Sequence, residues 1–277
     1  MLSFFACEPK KVAAPPVCDL VGATEQLDQS GRLSTLVERS FTYTGGQLTS
    51  VFERNTDRLA GFRLEYNGNR LSRVTDTQNQ LTIAFEYALT QASDKPYRAT
   101  YTRNNQLQTV YSLEYLPTGK LSRLVENRQV VPSTSNIIER TFTFTYDANG
   151  NITLERAQDK LRNGSVTTTE TEYTQDAQPS PFATVPQPIV LTLVALTQGA
   201  ETLPGRFWTS GTIMGYTTYS VAANNTRTRR ETTTFTSTRD EFKKLTAQEQ
   251  TSLSYLTSQT NPTTRKTQHT YVYKCQQ

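Results

Sequence analysis

His269 is the one histidine in this 277-residue chain, so a Ser–His–acid relay or a histidine-based metal site would have to use it. It stands in KTQHTYVY, an alternating polar and aromatic run, and reads as a strand-surface side chain. A second candidate is a ladder of glutamates, each directly before a tyrosine: Glu65, Glu86, Glu114 and Glu172. Two carboxylates at a suitable separation hydrolyse a glycosidic bond, one as acid and the other as base or nucleophile. Neighbours along a strand point to opposite faces, so each Glu faces the polar side, away from its tyrosine. Arg54, Arg73, Arg123 and Arg156 are placed to pair with such carboxylates across strands. Each pair would be worth well under about 1 kcal/mol. Structural pairing is favoured over catalysis.

Asp147, Asn149 and Asn151 imitate the opening of a calcium loop, but glycine falls at the fourth position, not the sixth, and no glutamate closes the twelfth. The segment reads as a hairpin turn. No glycine-rich phosphate loop is present. Trp208, the single tryptophan, lies beside Phe207 and Arg206 in GRFWTSGT. If exposed, this trio would stack on a sugar or other ring, and it is the first choice for ligand contact. A core aromatic on a strand is the favoured reading. No catalytic, metal or cofactor set emerges, and a non-enzymatic protein is expected.

The elements that would position these residues are strands. Hydrophobic residues make up 35% of the chain and charged residues 19%, and threonine fills much of the rest, as in TTTETEYT (167–174). Threonine is β-branched and polar, which suits the wet face of a strand. In FTFTY, Phe142, Phe144 and Tyr146 share one face and Thr143 and Thr145 the other. That period of two marks a half-buried antiparallel strand. The net charge of +4 is too mild and dispersed for a nucleic-acid binder. Arg227, Arg229 and Arg230 alternate with or follow threonine and read as a solvated strand face.

A hairpin unit recurs: FTYTGGQLTSVFERN (41–55), LEYNGNRLSRVTDTQ (64–78), LEYLPTGKLSRLVENR (113–128) and FTYDANGNITLERAQ (143–157). Weaker copies centre on Tyr87 and Tyr173, and the repeat tyrosines are spaced 21 to 31 residues apart. Such a period means one supersecondary unit used many times. Each copy joins an apolar–polar–Tyr strand end to a Gly/Asn turn and then an aliphatic residue. In the second strands Leu48 and Val51, Leu71 and Val74, and Leu121 and Leu124 are three apart. A flat strand would point such pairs to opposite faces, so either a bulge realigns them or both faces are covered.

The expected fold is therefore all-β: a many-stranded antiparallel meander of hairpins, forming a curved sheet or a closed barrel. Residues 18–277 read as one domain, with a proline-rich crossing loop at 176–188. IVLTLVAL (189–196) is too short to span a membrane and reads as a buried strand or a short core helix. A lipid-embedded barrel needs an apolar outer band. The mean hydropathy of −0.58 and the polar end KCQQ favour a sheet with its apolar face inside.

The first residues, MLSFFAC, resemble the end of a bacterial lipoprotein signal, with small Ala6 before Cys7. The resemblance implies cleavage before Cys7, lipidation of that residue and export to the envelope. Phe4 stands where leucine is usual, and the apolar lead is short, so residues 1–7 read as a truncated signal. Residues 8–17, with two adjacent prolines, read as a tether. Cys18 and Cys275 then flank the folded region. A disulfide between them would close a very long loop, worth about 4–5 kcal/mol on the chain-entropy argument. Two free thiols, or a metal pair lacking other ligands, are the alternatives.

The hairpins also resemble the tyrosine–aspartate repeats of bacterial surface and toxin-shell proteins, most closely at FTYDANGNITLE. EYTQDAQPSPF (172–182), AANN (222–225) and TYVYKC (270–275) resemble segments of a family of Bacteroidetes lipoproteins of unknown function. That resemblance implies a porin-like, many-stranded antiparallel fold and transfers no catalytic residue. The functional expectation is a lipid-anchored envelope protein, on the periplasmic or surface face of the outer membrane. It would have a binding, adhesive or structural role. Its partners would be the membrane through the anchor and a glycan or envelope protein, without nucleic acid. A carboxylate-based glycan hydrolase and a fragment of a toxin shell are the rival readings.

Overall fold

The computed structural model describes residues 17–56, 58–88, 94–131, 135–199, 202–255 and 261–275. Cys7 and most of the expected tether lie outside the described residues. Sixteen strands are found among those described: β1 (Cys18–Gln29), β2 (Arg32–Thr44), β3 (Gln47–Asn55), β4 (Leu59–Asn67), β5 (Arg70–Asp76), β6 (Leu81–Glu86), β7 (Arg98–Arg103) and β8 (Gln106–Tyr115). They continue with β9 (Leu121–Arg128), β10 (Ile137–Tyr146), β11 (Ile152–Leu161), β12 (Val166–Pro179), β13 (Gly211–Val221), β14 (Arg227–Arg239), β15 (Leu245–Ser254) and β16 (Thr263–Cys275). Each strand pairs antiparallel with the next, and β1 pairs with β16, so the sheet is a closed barrel. Of the two sheet forms expected, the closed one is present.

The apolar face is inside. Phe142 and Phe144 are buried, whereas Thr143 and Thr145 between them are exposed. The spacing of three in the second strands is resolved by bulges. Thr42 pairs with Ser50 and Tyr43 with Leu48, which leaves Thr49 as the extra residue. The same slip leaves Ser72, Ser122 and Thr153 extra. One extra residue restores the phase, so Leu48 and Val51, like Leu71 and Val74, both point inward. The hydroxyls of Thr49, Ser72 and Thr153 donate to the carbonyls of Thr42, Glu65 and Thr145 across the bulge. At the turns, Gly68 (φ 60°) and Gly150 (φ 77°) supply the left-handed backbone that a tight hairpin requires.

The repeat tyrosines stitch one hairpin to the next. Tyr43, Tyr66, Tyr87 and Tyr146 donate their hydroxyls to the carbonyls of Leu20, Leu48, Leu71 and Leu121, at 2.7–3.0 Å. Each acceptor lies on the strand that precedes the tyrosine's own hairpin. Burial of the phenol raises the pKa of Tyr66 and Tyr87 to about 12, so these donors stay protonated. Tyr115 occupies the equivalent position, but its buried hydroxyl meets no hydrogen-bond partner among the described residues.

Chain direction gives the barrel two distinct ends. The turns of the four repeat hairpins, Cys18 and Cys275 share one of them, the clasp end. The Cys18–Cys275 disulfide joins directly paired residues of the first and last strands there and closes a separation of 257 residues. The opposite end holds the connections after β1, β3, β5, β7 and β9. Between β12 and β13 the chain leaves the wall at the clasp end for 180–210. The proline-rich segment departs from the expected crossing loop: β12 continues to Pro179, and Pro181–Thr184 forms a 3-10 turn. Helix α1 (Pro188–Gln198) then follows, the helical one of the two forms expected of IVLTLVAL.

Two expected outcomes test this framework. Tyr146→Phe should lower unfolding stability by about 1 kcal/mol, because it removes a buried donor and leaves the Leu121 carbonyl bare. Tyr115→Phe should be neutral or slightly stabilising; comparison of their urea midpoints checks both. Reduction of Cys18–Cys275 should cost about 2–5 kcal/mol by the same assay.

Candidate functional site

Residues 180–199 and 202–210 fill one part of the lumen and shape the rest. α1 starts with Pro188, whose missing N–H costs nothing in a first turn, and stops at Gly199, which adopts φ 66°. Ile189 through Ala195 are all buried, as expected of a helix apolar on every side. Arg58, from the connection after β3, donates to the carbonyls of Thr197 (3.5 Å) and Gln198 (3.3 Å). The cation thus meets the negative end of the helix dipole. The helix therefore runs along the lumen from the clasp end toward the opposite end.

The return leg is latched to the wall. The amide of Gly205 donates to Glu155 Oε2 at 3.0 Å, and the Tyr173 hydroxyl reaches the same oxygen at 2.9 Å. A methyl on Gly205 would overlap Ile152 and Glu155, so only glycine permits this approach. Lys120 Nζ holds the Trp208 carbonyl (2.6 Å) and Ser210 Oγ (3.0 Å), and Asn151 Oδ1 accepts from the Gly211 amide at 2.7 Å.

This arrangement corrects the first choice for ligand contact. Phe207 and Trp208 are 2% and 4% exposed, and neither lines the open part of the lumen. Trp208 donates through Nε1 to Thr192 Oγ1 on α1 (2.9 Å) and packs against Tyr115. Both sit in a 3-10 turn and its cap rather than on a strand. Arg206 alone of the trio reaches the open lumen.

Beside the helix lies a cavity of about 790 Å³, within the range of small-molecule sites. Its inner end is capped by Pro181 and Phe182 of the 180–210 segment. Its mouth lies at the end opposite the clasp, among Arg58, Arg103, Arg128, Val130 and Arg265. The two sides of the lumen differ in chemistry. Most inward positions of β3–β10, such as Val51, Phe62, Val74, Ile83 and Phe142, are aliphatic or aromatic and pack into the hydrophobic core; Glu53, Asp76, Thr109 and Glu126 are polar exceptions. Inward positions of β14–β16 are mostly polar: Glu231, Thr233, Gln248, Gln250, Ser252 and His269, beside the aromatic Phe235 and Tyr271.

All of the polar side chains but Gln248 form a continuous ladder. Tyr216 and Thr233 donate to Glu231 Oε1, each at 3.0 Å. Thr233 and Ser252 share a hydrogen bond of 2.7 Å, and Gln250 Nε2 donates to Ser252 at 2.8 Å. Gln250 Oε1 lies 2.7 Å from His269 Nε2, and His269 Nδ1 lies 3.8 Å from Glu25 Oε2. Arg206 approaches the same Glu25 oxygen at 3.7 Å. Burial opposes ionisation of Glu25, but Arg206, His269, Arg39 and Arg265 outweigh it and hold its carboxyl below the usual value.

His269 is corrected by this geometry. It is 4% exposed inside the lumen, not on the strand surface. Burial pushes its pKa down to about 4; Glu25 pulls the other way, and Arg206, Arg39 and Arg265 add to the depression. The glutamate ladder lies outside the barrel. Glu114 pairs with Arg123 (2.8 Å), Glu86 with Arg98 (3.5 Å) and Glu172 with Arg227 (2.7 Å). Arg54 pairs with Glu38 at 2.5 Å, and Arg156 lies 3.7 Å from Glu170. Asp147 accepts from the amides of Asn149 and Asn151, which closes a turn without a metal loop.

The carboxylates that line the open cavity, Glu25, Glu126 and Glu231, carry no motif that marks them in the sequence. One signal was available. ETTTF (231–235) and QEQTS (248–252) keep the period of a strand but place polar groups on both faces. Such strands belong where a sheet is wet on its inner side too.

The depressed pKa of His269 has a stability consequence. Below about pH 6.5 the unfolded chain takes up a proton that the native site refuses until about pH 4. Stability is therefore full above this window and falls as the pH drops, by about 1.4 kcal/mol per pH unit from this group. His269→Gln should flatten that part of a stability–pH profile, as measured by urea unfolding between pH 7 and 4.5.

No protein-family model matches the chain, and no curated protein does. Solved structures do. A porin-like protein from Bacteroides uniformis aligns over 92% of this chain and 96% of its own, with a TM-score of 0.56 at 15% identity. A porin-like protein from Bacteroides vulgatus aligns over 92% and 99%, with a TM-score of 0.50 at 12% identity. A toxin complex, TcdB2-TccC3, overlaps at a TM-score of 0.28, too remote to bear on the toxin-shell resemblance. Likeness at these identities is a likeness of fold: the chain shares a porin-like β-barrel architecture.

Proposed function

We propose that this protein is a lipid-anchored component of the cell envelope that binds a ligand in its barrel lumen without transforming it. The observation that supports this reading most is the one-ended polar cavity, blocked at the clasp end by 180–210 and bordered by arginines at the other. The outer wall does not resemble a lipid-facing surface. It presents Thr143, Thr145, Arg54 and Glu114, with ion pairs where an apolar band would lie. A receptor that stands in water fits this surface better than a pore.

The anchor reading rests on the Cys7 motif and gains a geometric consequence. A tether that enters at Cys18 would bring the clasp end toward the membrane, and the mouth would then face away from it. Binding is favoured over catalysis because His269 meets an amide and a carboxylate, not a hydroxyl nucleophile. The lumen carboxylates are also engaged: Glu25 with Arg206, Glu126 with Arg128 and Glu231 with Tyr216.

Mass spectrometry of the native protein tests the anchor: a diacylglyceryl-modified Cys7 in the envelope fraction is expected. An unmodified Cys7 on a cytoplasmic chain would overturn it. Native mass spectrometry after incubation with envelope extract tests the receptor. A discrete added mass is expected, lost in a Thr56→Trp/Val130→Trp variant that narrows the mouth and keeps its β-rich circular dichroism. An added mass that persists in that variant, or none at all, would count against a lumen receptor.

A further inference from the structure

The lumen chemistry narrows the class of ligand, an inference that rests on the receptor reading above. Arg103 on β7 and Arg265 on β16 are exposed at the mouth, seven strands apart around a barrel of sixteen, so they face each other across it. No ion pair or hydrogen bond engages either guanidinium among the described residues. Arg58 and Arg128 stand between them in the strand order and are already occupied, by the α1 carbonyls and by Glu126. A mouth of one sign over a low-dielectric wall concentrates and steers anions.

Deeper in, the recognition groups change. Gln250, Ser252 and His269 offer amide, hydroxyl and imidazole, while Tyr111 and Tyr271 add phenol rings. Glu126 is 4% exposed, and its Oε2 has no hydrogen-bond partner among the described residues although the residue lines the cavity. A buried carboxylate oxygen left bare is costly unless a donor arrives, and a ligand hydroxyl is such a donor. Glu25 and Glu231 line the same cavity from other strands, so a multiply charged phosphate would be repelled inside. An extended peptide would seek main-chain pairing at a sheet edge, and a closed barrel has none. The combination suits a molecule with few carboxylates and many hydroxyls.

We propose that the lumen takes a short anionic saccharide with more than one carboxylate, one bound by Arg103 and another by Arg265, and its hydroxyls bound by Glu126 and the polar ladder of β14–β16. Arginine matches a carboxylate as a fork of two parallel N–H donors, and side-chain amides and carboxylates match vicinal hydroxyls.

Isothermal titration calorimetry of the full chain with digalacturonate, neutral digalactose and the dipeptide Glu-Glu tests the assignment. Saturable binding of digalacturonate is expected, weakened at least tenfold by Arg103→Gln/Arg265→Gln and by 0.5 M salt, and severalfold by Glu126→Gln. Thr56→Trp/Val130→Trp should abolish it. Circular dichroism of each variant guards against simple unfolding. Preference for digalactose or Glu-Glu, blocked by the mouth variant, would overturn the anionic-saccharide assignment and leave the lumen receptor standing. Equal binding of digalacturonate by the arginine double variant would overturn the role of the mouth. Binding of none of the three would overturn the ligand class, while the envelope-extract experiment reports on the receptor separately.

Discussion

A sheet of sixteen strands that closes on itself encloses more space than its own side chains can fill. Eight strands give an interior that side chains occupy; twice that number leaves a channel unless something enters. Closure also removes every edge, so the filling must come from a connection between strands. Here it comes from 180–210, and much else in the structure follows from that insertion. α1 is apolar all round because it is surrounded. Gly205 has no side chain because Glu155 and Ile152 occupy the space where one would stand.

The insertion fills one side of the lumen more completely than the other, and the wall adapts. Where α1 and its return leg pack, inward residues are mostly Phe, Leu, Val and Ile, with Glu155 and Arg39 as polar contacts to the return leg. Where space remains, the same strand positions hold Gln, Ser, Thr, His and Glu, and they satisfy one another in a ladder. A polar group left bare in a cavity costs more than a hydrogen bond gains, so a wet wall and a dry wall need different sequences. The site is thus a by-product of imperfect filling, with its electrostatics set by arginines at the rim and along the wall.

The wall itself is held by a small set of repeated contacts. The hydroxyls of Tyr43, Tyr66, Tyr87 and Tyr146 each tie a hairpin to the strand before it, and each bulge residue returns the following strand to phase. A single residue without the bulge would turn aliphatic side chains outward and break the core. The disulfide makes the same kind of link once more, between the first and last strands, where no chain connection exists. These contacts explain why so modest a hydrophobic content sustains a large barrel: pairing is continuous, and only one face needs to be apolar.

Much of this was legible in the chain alone. The period of two, the Gly/Asn turns and the tyrosine spacing determine hairpins and their order, because they are local and follow from pleat geometry. The spacing of three at Leu48 and Val51 announced a bulge or two covered faces, and only the register decided for the bulge. The chain could not say which face of Trp208 or His269 would meet solvent. Phe207 and Trp208 read as core aromatics first and ligand contacts second, and they are buried at the base of the insertion; His269 looked external and lines the cavity. That outcome depends on where 180–210 goes, and the destination is set by closure between residues 257 positions apart. Local pattern determined the strands; which space the barrel left open, and which side chains border it, was decided only once the first strand met the last.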